Sequence, residues 1–153
     1  MNKAKLSIDL DRHLPHRLVN LANRLEQHAY KVYSRRFGLT FGEWRVLGVV
    51  AGNADITVNR AAELLGLDKG GVSRTIAQLL RRKLLTRRRD PTDRRRSVLA
   101  LTTRGARIHD EIAPFAIARD RRLLSVLSPA QRRDVHAIVE ALTREIERML
   151  KED

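Results

Sequence analysis

Leucines and valines recur along the first part of the chain at three-, four- and seven-residue intervals: Leu10, Leu14, Leu18, Leu21, Leu25 and Val32. That spacing lays one apolar stripe on a helix and predicts an amphipathic helix from about Leu10 to Arg36, stopped at Gly38. Thr40-Phe-Gly-Glu43 then has the form of a capping box and predicts a second helix to about Ala51. Gly52-Asn53-Ala54-Asp55 reads as a turn. Thr57 is placed to cap a short third helix, Val58 to Leu65, with Gly66 as its stop and Leu67 returning to the core. Asp68 caps a fourth helix, Lys69 to about Lys83, whose apolar side is Val72, Ile76, Leu79 and Leu80.

After Lys83 the period changes. Leu84 to Arg89 is short and extended in character, Asp90-Pro91-Thr92-Asp93 is turn chemistry, and Ser97 to Thr102 is the returning strand, with Val98, Leu99 and Leu101 as its inward positions. Thr103 opens a fifth helix to about Val126, with Pro114 as a kink point. Ser128-Pro129-Ala130-Gln131 is a helix start, and the sixth helix carries Val135, Ile138, Val139, Leu142, Ile146 and Met149 on one stripe. The predicted fold is mainly α with a small β-hairpin wing: a winged helix–turn–helix lobe plus a helical dimerisation domain. The stripes on the first and last helices exceed what a lobe of that size covers, which by itself predicts a symmetric dimer.

The third and fourth helices, joined through Gly66, have the form of a helix–turn–helix. Ala62 is small where the two would cross, and Val72 and Ile76 dock the second onto the first. The fourth helix is therefore the element expected in a DNA major groove, and its outward residues are Lys69, Gly70, Gly71, Ser73, Arg74, Thr75 and Gln78. Arg74 suits guanine and Gln78 adenine, while Ser73 and Thr75 suit a base edge or a phosphate. Gly70-Gly71 allows two readings: close approach of the helix N-terminus to a phosphate, or loose capping without contact.

Charge strengthens the assignment. The 153 residues carry 31 Lys and Arg against 18 Asp and Glu, a net +13, so a polyanionic partner is expected. Between Asp68 and Arg104 twelve basic residues face three acidic ones, so most of the surplus lies in the predicted head. Arg94, Arg95 and Arg96 sit at the hairpin tip, where arginine suits a narrow minor groove. Asp90 or Asp93 is expected to pair with a neighbouring Arg and hold the turn. Arg81, Arg82 and Lys83 are read as phosphate contacts or solvated charges.

Other chemistry is thin. Absence of cysteine excludes disulfides and thiolate sites. No Gly-rich phosphate loop, nucleophile constellation or carboxylate pair suggests an enzyme. No apolar run reaches membrane-span length and Met1 to Asp11 lack a signal-peptide core, so the expected location is cytoplasmic. Two alternatives stand beside the DNA reading. A basic RNA-binding or ribosome-associated protein fits the charge, although aromatics are only 4%. A metal-responsive regulator would use His13 and His16, which share a helix face; ordinary surface histidines are the commoner case.

The order of parts resembles the multiple-antibiotic-resistance-regulator (MarR) family. The residues that carry the resemblance are Phe41-Gly-Glu-Trp-Arg-Val-Leu47, Ala61-Ala-Glu-Leu-Leu-Gly-Leu-Asp68, Val72-Ser-Arg-Thr75, and Arg89-Asp-Pro-Thr-Asp-Arg-Arg-Arg96 leading to Leu101-Thr-Thr-Arg-Gly105. It implies a homodimer with an N-terminal dimerisation helix over residues 1–36, a DNA-binding lobe over 37–104 and C-terminal dimerisation helices over 105–153. It implies a transcriptional regulator, usually a repressor on a pseudo-palindromic operator, released by a small aromatic or phenolic effector and needing no cofactor. By the same analogy the effector residues are His16, Asn20, Trp44 and Arg45; for Trp44 plain core packing is the alternative.

Overall fold

A computed structural model of the chain describes residues 8–90, 93 and 95–152. Their order is α1 (Leu14–Phe37), α2 (Phe41–Gly52), β1 (Ile56–Thr57), α3 (Val58–Leu65), α4 (Lys69–Arg81), β2 (Leu85–Arg89), β3 (Ser97–Leu101), α5 (Thr103–Ser125) and α6 (Pro129–Glu152). The first of two compact units ends at Ile112, within α5.

The local stop and start signals operate as their chemistry requires. Gly38 and Gly66 close α1 and α3 with φ of 62°, a left-handed conformation that costs other residues free energy. The Thr40 hydroxyl accepts the Glu43 N–H while the Glu43 carboxylate accepts the Thr40 N–H, completing the capping box of α2. Thr57 and Asp68 cap α3 and α4 by accepting the N–H groups of Arg60 and Gly71. The first helix starts later than its leucine spacing predicts. Residues 10–12 form a turn, and the helix begins at Leu14, with Pro15 in its first turn. A proline ring fixes φ but has no N–H, so it is accommodated there and not deep inside a helix running from Leu10.

The lobe core is built from Leu39, Val46 and Leu47 before the helix–turn–helix, Ala61, Val72, Ile76 and Leu79 within it, and Leu84, Val98 and Leu99 after it, all 1% exposed or less. Leu67 does not return to the core as its position suggests. It stays 46% exposed, because its N–H closes the end of α3 on the Ala62 carbonyl while Leu65 fills the buried position.

The wing is a three-stranded antiparallel sheet of order β1-β3-β2, not an isolated hairpin. Ile56 and Thr57 pair with Leu99 and Val98, so β3 is the central strand. Neighbouring residues of a strand face opposite sides, and Val98 and Leu99 are both buried; β3 is thus covered on both faces at that point. Gly105, in the first turn of α5, lies against the strand entrance: a Cβ there would stand 2.0 Å from the Leu84 carbonyl oxygen. Only glycine permits that approach.

The second unit is Ala113–Asp153, described here to Glu152. The division falls beside Pro114, which removes one helical hydrogen bond from α5. Ser128 and Gln131 form a second capping box at the start of α6. Arg132 ties the corner by donating to the Ser125 and Leu127 carbonyls. No described residue of α6 is buried. Among the described residues no helix is long and apolar enough to cross a membrane.

Candidate nucleic-acid interface

Val72, Ile76 and Leu79 pin one side of α4 to the lobe, which leaves the other side free. Gly70, Arg74 and Gln78, four residues apart, form one exposed row, and Lys69 is exposed beside it. Gly71, Ser73 and Thr75 are half-buried at its margin. The Thr75 hydroxyl donates to the Gly71 carbonyl 3.1 Å away, so it is already engaged within the helix.

The double glycine has a local explanation. The Asp68 carboxylate lies over the helix end and accepts the Gly71 N–H at 2.8 Å. A Cβ at Gly71 would meet that carboxylate at 2.8 Å, and one at Gly70 would meet it at 3.1 Å and the Arg74 guanidinium at 3.6 Å. The two glycines make room for the cap and for Arg74. The helix start is therefore capped from within, by the Asp68 carboxylate on the Gly71 N–H.

The wing turn is braced through its backbone. Asp90 N–H donates to the Arg96 carbonyl and Arg96 N–H to the Asp93 carbonyl. The Asp90 carboxylate accepts the Asp93 N–H, and the Asp93 carboxylate accepts the Arg95 N–H. Both carboxylates thus accept backbone N–H groups within the turn. Arg95 and Arg96 are exposed on it. Arg94, named with them from the sequence, lies outside the described residues, as do Pro91 and Thr92.

Two arginines of the basic cluster are tied internally. Arg82 donates to the Glu43 carboxylate at 2.9 Å, and Glu43 is only 4% exposed, so Arg82 is engaged by a buried carboxylate. Arg88, on edge strand β2, pairs with Asp55, just before β1, across the central strand. Among the described residues Asp55 (φ 53°) and Lys83 (φ 55°) are non-glycines with left-handed backbones. Neither ion pair was legible beforehand. Their partners lie 39 and 33 positions apart in the chain, and Glu43 announced itself only as a cap.

Comparison with known proteins follows the same outline. Residues 37–96 match the MarR family model. An uncharacterised protein of Mycobacterium tuberculosis is 35% identical over 100 residues, covering 65% of this chain and 69% of its own. The crystal structure of a MarR/EmrR family transcriptional regulator from Acinetobacter sp. ADP1 superposes with a TM-score of 0.87 at 29% identity, over 92% of this chain and 99% of that one. The PcaV transcriptional regulator of Streptomyces coelicolor, solved in complex with its natural ligand, gives 0.69 at 28% identity, over 94% and 97%. The chain belongs to the MarR family. It is a winged helix–turn–helix transcriptional regulator, not an enzyme.

In this MarR-family protein the four effector residues inferred from the sequence fall into two groups. His16 and Asn20 are one helical turn apart on α1, with His16 Nε2 and Asn20 Nδ2 3.0 Å apart. They line an open groove of about 480 Å³ with Asp11, Arg17 and Arg24, and neither Trp44 nor Arg45 is among its walls. Trp44 is 9% exposed and packed between Tyr33 and His109, at ring separations of 5.6 and 5.2 Å, which is the core-packing alternative. Arg45 donates to the Leu65 carbonyl at 2.6 Å and lies over the Phe41 ring, so it closes the end of α3. His13 is the N-cap of α1, without a side-chain cap bond. Among the described residues no three His, Cys, Asp or Glu side chains come together as a metal cluster.

Proposed function

We propose that this regulator is a homodimeric repressor that binds a pseudo-palindromic duplex and is released by a small aromatic acid or its thioester. The observation that carries the DNA half is the exposed row of Gly70, Arg74 and Gln78 on a helix anchored by Val72, Ile76 and Leu79. Lys69, Gly71, Ser73 and Thr75 complete the proposed contact surface of α4, and Arg94, Arg95 and Arg96 that of the wing. Arg74 reads a base, while Lys69 sets register on a phosphate. Residues 37–104 act as the reading lobe.

Dimerisation is supported by apolar surface that a lone chain leaves wet. Leu14, Leu18 and Leu21 on α1 are 42–51% exposed, and Ile138, Val139, Ile146 and Met149 on α6 are 50–57% exposed. Stripes of that extent call for a partner, and a second copy related by a two-fold axis covers them symmetrically. Residues 1–36 and 105–153 are assigned to that role. Effector release is supported by the 28%-identical PcaV regulator, which was solved with its natural ligand.

The test begins with selection of a duplex from a random-sequence pool, followed by anisotropy titration and sedimentation. A symmetric site bound by a dimer is the expected result. Arg74→Ala then lowers affinity for the selected site by about 1–3 kcal/mol and relaxes preference at one base position. Equal loss on selected and scrambled duplexes would contradict the role given to Arg74. A monomer at micromolar concentration would contradict the dimer. A panel of aromatic acids and thioesters that leaves the complex intact would remove the effector claim.

A further inference from the structure

We infer that Arg82 is a positioning residue: through Glu43 it fixes the end of the recognition helix and the start of the wing, and it does not neutralise a phosphate. The inference rests on DNA binding by α4 and the wing. It reassigns one member of the basic cluster that charge alone would place on DNA.

Three features carry it. Glu43 is buried, and both its oxygens are committed: Oε2 accepts the Thr40 N–H at 2.8 Å and Oε1 accepts Arg82 Nη1 at 2.9 Å. A phosphate that drew Arg82 away would leave a buried carboxylate without its cation, which is strongly unfavourable. Next, Arg82 is the C-cap of α4, its N–H bonded to the Gln78 carbonyl at 3.0 Å. The chain reverses at once through the left-handed Lys83 into Leu84, whose N–H returns to the Leu79 carbonyl and whose carbonyl accepts the Thr102 N–H. Arg82 is thus the side chain that holds this corner to the start of α2. Finally, a guanidinium paired with a carboxylate brings no net charge to DNA, and the salt dependence of binding follows the phosphates that protein cations neutralise.

The experiment compares Glu43→Gln, Arg82→Gln, the double variant and the conservative Arg82→Lys with the wild-type chain. The probes are the duplex selected by the wild-type protein and a scrambled duplex of the same length, titrated over a range of salt. Each single Gln variant is expected to bind the selected duplex about ten-fold more weakly. In Arg82→Gln binding to the scrambled duplex and the salt slopes on both duplexes stay unchanged, the double variant is no worse on the selected duplex than either single one, and Arg82→Lys recovers part of the loss. A slope reduced by about 0.9 in Arg82→Gln would overturn the inference. So would additive losses, or unchanged or tighter binding by Glu43→Gln. Amide exchange in the free protein gives a second readout if Arg82→Gln folds poorly. In Glu43→Gln the amides of Arg82 and Leu84 are expected to exchange faster, and unchanged protection there would overturn the brace. Failure of the wild-type chain to select any duplex would count against the DNA reading, while amide exchange still decides whether Glu43 holds the corner.

Discussion

Helices α4 and α6 are both amphipathic, and the structure treats their apolar stripes in opposite ways. Val72, Ile76 and Leu79 of α4 are 0–1% exposed, whereas Ile138, Val139, Ile146 and Met149 of α6 stand 50–57% exposed. Spacing fixes which residues share a face of a helix. It does not fix whether that face has a partner, because burial needs a complementary surface from elsewhere. In the lobe α2, α3 and the sheet provide that surface. The α6 stripe stays exposed within one chain, and the proposed dimer is what would cover it.

The comparison is open to direct attack. Ile76→Ala is expected to lower unfolding free energy by about 2–5 kcal/mol in a denaturant titration, while Ile146→Ala in dilute monomer changes it by less than about 0.5 kcal/mol. Similar losses at the two sites would break the contrast. Gly105→Ala tests how tightly the lobe is filled. With a Cβ only 2.0 Å from a backbone oxygen, a loss of about 1–3 kcal/mol is expected, and a variant as stable as wild type would show that α5 can withdraw cheaply. Ile138→Ser combined with Ile146→Ser should raise the dimer dissociation constant about ten-fold or more, near 1.4 kcal/mol, with the lobe's own unfolding little changed. Sedimentation at several concentrations measures it, and an unaltered constant would place the dimer contact elsewhere. The smallest effect concerns Lys83, a non-glycine at φ 55°. Lys83→Gly should raise stability by up to about 1 kcal/mol by relieving the left-handed backbone, and a destabilised variant would show that the Lys83 side chain outweighs that gain.

Much of the lobe was legible because its signals are short-ranged. The Thr40 box, the Thr57 and Asp68 caps and the Gly66 stop each involve atoms within about four residues of one another. Such contacts follow from the local chain whatever surrounds it. The exposed row on α4 was legible for the same reason. Less legible were β1, two residues long and defined only by pairing with β3, and the start of α1, where Pro15 outweighed the leucine spacing. The effector residues were the least legible. Trp44 stacks on His109 and Arg45 donates to the Leu65 carbonyl, contacts that their local spacing did not announce.

By itself the sequence determined the caps and stops of most helices, which residues share a face, and that a basic hairpin follows a helix–turn–helix. Those properties depend on backbone geometry and nearby side chains. Only the tertiary structure decided that Gly105 lies on Leu84, and that Arg82 and Arg88 answer Glu43 and Asp55. Each of these depends on atoms brought together by the fold. A charge in a basic run has the same composition whether it faces a phosphate or a buried carboxylate, and only its neighbours in space tell the two apart.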